Sequence, residues 1–162
     1  MSAPGSRLLH TLRTPHLTIA QCLGLGLIPV APGTFGTLAG FAMFAGFSLF
    51  DVSIRAIAYV VLFACAVWAV RRAGDELGEH DHQSIVIDEM FAMCLVLEVA
   101  PQTAPGWLAA FVLFRLFDIW KPWPINVVDR QFETAFGVML DDLLAAVFSG
   151  LVLIGLHSTG AL

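Results

Sequence analysis

Apolar residues along the chain fall into long runs separated by short polar connections. Runs 35–50 and 54–70 are rich in Ala, Phe, Leu and Val and approach the roughly 20 residues that span a bilayer. A third, 143–157, is similarly apolar but only about four turns long, so a full crossing needs tilt or local thinning of the bilayer. Runs 90–100 and 107–117 are shorter. They are joined by Pro101-Gln102-Thr103-Ala104-Pro105-Gly106, which breaks helix twice and predicts a helical hairpin of short or incomplete span. Ahead of them, the glycine-spaced segment 17–30 ends around Pro29 and predicts an interfacial or re-entrant helix. Backbone groups in hydrocarbon must bond within their own segment, so helix is expected throughout. The fold expected is all-α: one domain over 1–162, a compact multi-helix integral membrane bundle with four to five apolar helices.

Composition gives the reason to place that bundle in lipid. Of 162 residues, 58% are hydrophobic and only 13% charged, against roughly a quarter charged in soluble domains. A net charge of −5, with no basic run interleaved with aromatics, excludes nucleic acid as a partner. Arg7 and Arg13 precede no compact apolar core with a small-residue cleavage site, so no removable signal peptide is expected. Cys22, Cys65 and Cys94 lie in apolar stretches without paired spacing and are expected to be buried free thiols. Cys65 and Arg71 match the nucleophile-to-arginine spacing of cysteine phosphatases, but no glycine between them allows a phosphate-cradling loop.

Basic residues orient the chain. Arg7 and Arg13 flank the first run, Arg71 and Arg72 follow 54–70, and Arg115, Lys121 and Arg130 gather at and beyond the end of 107–117. By the positive-inside rule these segments face the cytoplasm, and connections 51–53 and 101–106, which carry no basic residue, face outward. The polar stretches 31–37, 75–89 and 118–142 then share one side, where a single interfacial site could collect them.

Acids crowd where a membrane protein ordinarily avoids them. Asp88-Glu89 abuts one apolar run, Asp141-Asp142 another, and Asp118 closes a third. A divalent cation would neutralise several carboxylates together, and hard oxygen ligands suit magnesium. Capping of a helix start is the alternative for Asp88 or Asp141 singly. Asp118 and Lys121, three apart, are expected to share a face before Pro122 and Pro124, forming either part of a phosphate site or a salt bridge beside the interfacial anchors Trp120 and Trp123. The Pro32-Gly33-Thr34-Phe35-Gly36-Thr37 segment either offers amides to an anion or lets helices pack closely. His80-Asp81-His82 has poor one-metal geometry on a helix and reads as a solvated loop or a proton shuttle, while His10, His16 and His157 read as structural.

Taken in order, Pro29-Val30-Ala31-Pro32-Gly33-Thr34-Phe35-Gly36-Thr37, Asp81 with Ile85-Val86-Ile87-Asp88-Glu89, Phe114-Arg115-Leu116-Phe117-Asp118-Ile119-Trp120-Lys121-Pro122-Trp123-Pro124-Ile125 and Gly137-Val138-Met139-Leu140-Asp141-Asp142 closely resemble the phosphatidylglycerophosphatase A family. The resemblance covers about residues 23–146. It implies magnesium-dependent hydrolysis of the terminal phosphomonoester of phosphatidylglycerophosphate to phosphatidylglycerol and phosphate, in a bacterial inner membrane. It assigns Asp88, Glu89, Asp118, Asp129, Asp141 and Asp142 to the metal and catalytic centre, with Asp88, Glu89, Asp118 and Asp142 as its catalytic members. Gly33, Thr34, Thr37, Arg115, Lys121 and Arg130 are expected to bind substrate. Lacking the paired Asp-x-Asp of haloacid-dehalogenase-like phosphatases, the chain is expected to use metal-activated water rather than a phospho-enzyme. The alternative reading is a small membrane transporter with the acids as an ion pathway, which the placement of acids at helix ends disfavours.

Overall fold

The structure, a computed structural model, describes residues 4–132 and 134–162. Among these residues all regular structure is helical and no strand occurs. The elements are α1 (Pro4–Arg13), α2 (Pro15–Ala20), a 3-10 helix (Cys22–Leu27), α3 (Pro32–Phe47), α4 (Val52–Leu77), α5 (Ile87–Val99), α6 (Ala104–Trp120), α7 (Ile125–Gln131) and α8 (Ala135–Ser158).

Local chemistry sets the long boundaries. Asp51 accepts from the amides of Ser53 and Ile54 at 3.0 and 3.3 Å and opens α4, which closes on Gly78 at φ 93°. Thr103 caps α6 through the Gly106 amide, and Thr134 caps α8 through that of Gly137. The cap at Thr134 starts α8 eight residues before the apolar run that announces it. Asp141 and Asp142 consequently sit about two turns into a continuous helix rather than at its beginning.

α5 is the axis of the bundle, with nine of its thirteen residues buried, and it packs against α3, α4, α6 and α8. α3 approaches it most closely. A Cβ on Gly36 would lie 2.7 Å from the Val86 carbonyl oxygen, and one on Gly40 would lie 2.7 Å from Met93 Cβ, so a four-residue glycine spacing seats one helix on the other. The segment 31–37 is therefore not a loop: Ala31 at φ 50° is the N-cap and Pro32 begins α3.

The expected helix over 17–30 is broken instead. α2 ends at Ala20, Leu23 and Gly24 turn left-handed at φ 60° and 95°, and a 3-10 helix follows. The break lets the Ala20 carbonyl accept from the Val86 amide at 2.9 Å, while Gln21 donates to Ser84 Oγ at 2.9 Å. These bonds tie the N-terminal segment to the chain entering α5. Cys22 and Cys94 are buried, but Cys65 is exposed on α4, against expectation, because that helix turns most of its apolar surface outward.

α4 and α8 are long and apolar enough to cross a membrane. Ile57, Val60, Val61 and Trp68 on α4 and Leu151 and Ile154 on α8 are exposed, as apolar side chains facing lipid would be. The 16, 13 and 17 residues of α3, α5 and α6 extend roughly 24, 20 and 26 Å, against a hydrocarbon core of about 30 Å.

A charge within the run 54–70 requires a partner there. Arg55 pairs with Glu98 at 3.2 Å, and Tyr59 donates to the other Glu98 oxygen at 2.8 Å, joining α4 to the far end of α5. Removing one member of such a network strands the others. Glu98→Ala should lower the thermal unfolding midpoint in detergent distinctly more than Tyr59→Phe, which loses a single bond to a charged acceptor worth about 1.5–3 kcal/mol. Equal midpoints for the two variants would show that Arg55 finds its compensation elsewhere.

Candidate active site

Asp88 and Glu89 occupy the first turn of α5, and Asp142 reaches them from α8. One carboxylate oxygen from each lies within 4.8 Å of the others. Asp88 Oδ1, Glu89 Oε2 and Asp142 Oδ2 are buried and have no hydrogen-bond partner among the described residues. Three desolvated carboxylates repel one another and cannot all stay ionised without compensation. Hard, charged oxygens left unpaired and converging from two helices fit a divalent cation of the magnesium class, which asks for few protein ligands and keeps room for water and phosphate oxygens.

Cationic groups border this triad. Arg115 on α6 bonds to Asp118 Oδ2 at 2.5 Å, reaches Thr37 Oγ1 at 3.4 Å and lies 3.9 Å from Glu89 Oε1. Asp118 in turn lies against Asp142. A Cβ on Gly33 would strike Glu89 Oε1 and come within 3.3 Å of Arg115, so a larger residue there would push the Glu89 carboxylate aside. Thr34 already donates its amide to Ala31, and Thr37 donates its hydroxyl to the Gly33 carbonyl at 2.8 Å. Both hold the first turn of α3 in shape.

Asp118 and Lys121 do not act as a pair. Lys121 is the C-cap of α6 in left-handed conformation, φ 45°, which takes its side chain off the helical face it was expected to share. Its ammonium instead bonds to Asp129 on α7 and to Asp141 Oδ2, the latter at 2.5 Å. Burial opposes its charge, but the two carboxylates outweigh that and hold its pKa above the ordinary lysine value. Lysine thus remains protonated throughout the neutral range.

The six acids expected at one centre consequently separate into two groups. Asp88, Glu89 and Asp142 converge, with Asp118 beside them under Arg115; Asp129 and Asp141 are gathered by Lys121. A cavity of about 630 Å³ opens on the second group, lined by His80, Asp81, Asp129, Arg130, Gly137 and Asp141 among others. Arg130 is exposed at its wall on α7. His82 bonds to Ser84 at 2.8 Å and does not join His80 in a metal-ligating group among the described residues. His10 and His16 hold the two oxygens of Glu76 at 2.8 and 2.7 Å, a clamp between the N-terminal helices and α4 that their separation in sequence conceals.

Known proteins match the chain over most of its length. The family described as phosphatidylglycerophosphatase A matches residues 18–157. A phosphatidylglycerophosphatase A of Haemophilus influenzae is 40% identical over 149 residues, covering 91% of this chain and 91% of its own. That of Escherichia coli K12 is 35% identical over 149 residues, covering 90% and 87%. A Bacteroides thetaiotaomicron protein, provisionally named a phosphatidylinositol-3-phosphatase, is 37% identical over 139 residues, covering 81% and 86%. No solved structure matches the chain. With most of its length matched by the family and by two relatives that bear the family's name, the chain belongs to the phosphatidylglycerophosphatase A family.

Proposed function

We propose that the protein removes the terminal phosphate of phosphatidylglycerophosphate, with magnesium, as a multi-pass protein of a bacterial inner membrane whose site opens to the cytoplasm. The observation that carries this reading is the unpartnered oxygens of Asp88, Glu89 and Asp142, set beside Arg115 in a chain whose relatives are named for that reaction. The exposed Arg71 and Arg72 near the end of α4 support the cytoplasmic side. Crossing by α3, α5 and α6, and a re-entrant course for the N-terminal segment, belong to this proposal; tilt or local thinning accommodates their length.

Asp88, Glu89 and Asp142 would hold the cation, and Asp118 would border it. Bound there, magnesium would polarise the phosphoryl oxygens and make a coordinated water more acidic. The remaining work falls to the chain. Arg115 is placed to take a phosphoryl oxygen as negative charge redistributes, and Asp118 fixes the angle of its guanidinium. Lys121, held by Asp129 and Asp141, supplies a second cationic group fixed in place, and Arg130 lines the cavity beside those two acids. Gly33 leaves room for Glu89, and Thr34 and Thr37 keep that turn rigid. Burial of the triad keeps bulk water from screening these charges.

Detergent-solubilised protein should release phosphate from phosphatidylglycerophosphate with magnesium and stop when the metal is chelated. Asp88→Asn and Asp142→Asn should each lower kcat by roughly 100-fold or more while the helical circular dichroism and membrane insertion persist. Unchanged turnover at saturating magnesium in either variant removes that residue from the centre. Phosphatidic acid, phosphatidylinositol 3-phosphate and a soluble phosphomonoester should be poorer substrates, and a preference for any of them would reassign the substrate. Gly33→Ala, which forces Glu89 to shift, should raise the magnesium concentration needed for half-maximal activity; an unshifted magnesium curve would sever Gly33 from the metal.

The route of attack can be read by trapping. Acid quench during turnover of substrate labelled in the scissile phosphate should leave no label on the protein, and Cys65→Ser should remain active. Stoichiometric protein-bound label that forms and decays at the catalytic rate would replace water attack by a covalent route.

A further inference from the structure

The two helices that carry the triad continue below it as the walls of an apolar groove. Helical residues three or four apart share a face. On α8, Asp142, Ala146 and Gly150 follow at intervals of four; on α5, Asp88, Leu95 and Val99 follow at intervals of seven and four. Leu95, Val99, Ala146 and Gly150 line a cavity of about 220 Å³ between the helices, with Val147 and Ile154 exposed at its rim. Its lining runs along α8 from Leu143 to Ile154. At 1.5 Å per residue this is about 16 Å, roughly half of a hydrocarbon core of about 30 Å and thus the depth of one leaflet. Gly150 keeps the groove open, since a Cβ there would lie 3.1 Å from Val99 Cγ2. A second apolar hollow, lined by Ile54, Val61 and Cys65 among others, is formed by α4 alone, and the acid at its end, Asp51, is occupied in capping that helix.

The geometry points to one acyl chain of the substrate lying in the groove between α5 and α8, directly beneath the carboxylates that meet its phosphate. This inference rests on the lipid-phosphatase reading. A chain seated there holds the lipid at the site, so the apolar walls contribute to affinity for the substrate. The groove is open on one flank, which lets a lipid enter sideways from its own leaflet without leaving the bilayer. Burial of methylenes against these walls gives long chains an advantage that a short-chain substrate with the same headgroup does not share.

Kinetics in mixed micelles with dioleoyl and dihexanoyl phosphatidylglycerophosphate test this. Gly150→Leu fills the floor, and Val147→Trp overhangs the rim from a position that is 55% exposed, where added bulk does not disturb the core. Both variants should raise KM for the dioleoyl substrate by about tenfold, with kcat and the dihexanoyl constants changed by less than about twofold. Parallel changes for both substrates, or none, overturn the groove. A photoactivatable group in the acyl chain of phosphatidic acid in vesicles provides a readout independent of turnover. It should label peptides containing Val99 and Ile154, and Gly150→Leu should suppress that labelling. If the wild-type protein hydrolyses neither lipid, the lipid-phosphatase reading falls and the labelling alone decides the groove: no label there overturns it. A disulfide-linked dimer formed through Val147→Cys, with no labelling of the groove, would assign this face to a second copy of the chain and also overturn the proposal.

Discussion

Buried negative charge is the constraint around which the bundle is arranged. Asp88, Glu89 and Asp142 bring a carboxylate oxygen each within 4.8 Å of the others, and each has an oxygen without a partner among the described residues, an arrangement that cannot keep three negative charges unless positive charge enters the site. The chain supplies some of it through Arg115, which touches Asp118 and approaches Glu89, and further out through Lys121, which bridges Asp129 and Asp141. Among the described residues the triad itself receives no full partner. A divalent cation fills that role in the proposed function, and binding would then stabilise the junction of α5 and α8 as well as prepare it for chemistry.

Each neighbouring element is shaped to allow this junction. Glycine at 36 and 40 lets α3 close on α5, and glycine at 33 clears Glu89. The break at Leu23 and Gly24 frees backbone and side-chain groups to fasten the segment that enters α5. The left-handed cap at Lys121 directs its ammonium toward α7 and α8 instead of back along α6. At the opposite end, the Arg55, Tyr59 and Glu98 network holds α4 against α5 with charges that satisfy one another. At that end of α5 the charges pair as opposites, whereas at the other the like charges of Asp88 and Glu89 meet that of Asp142.

Much was legible in the sequence because its signals are local. Apolar runs separated by caps and prolines determined helix and the membrane as solvent, since a hydrocarbon interior admits only internally bonded backbone. Adjacent acids at the ends of apolar runs marked a candidate site, and the ordered motifs marked the family, because residue types at fixed spacing survive without knowledge of contacts. Helix starts were less legible where a polar first turn precedes the apolar run: α8 begins at Ala135 because Thr134 caps it, and nothing apolar announces that turn.

Tertiary structure alone decided which charges meet. Spacing of three suggested Asp118 with Lys121, but a positive φ at the cap separated them and gave Asp118 to Arg115 and Lys121 to Asp129 and Asp141. The clamp of Glu76 by His10 and His16 spans 60 residues or more, and the Arg55–Glu98 pair joins two helices, so neither follows from local pattern. The same holds for the division of six acids into a triad and a lysine-bound pair. Periodicity fixes which face of a helix a residue occupies; the crossing of helices fixes what that face touches, and charge interactions depend on the second.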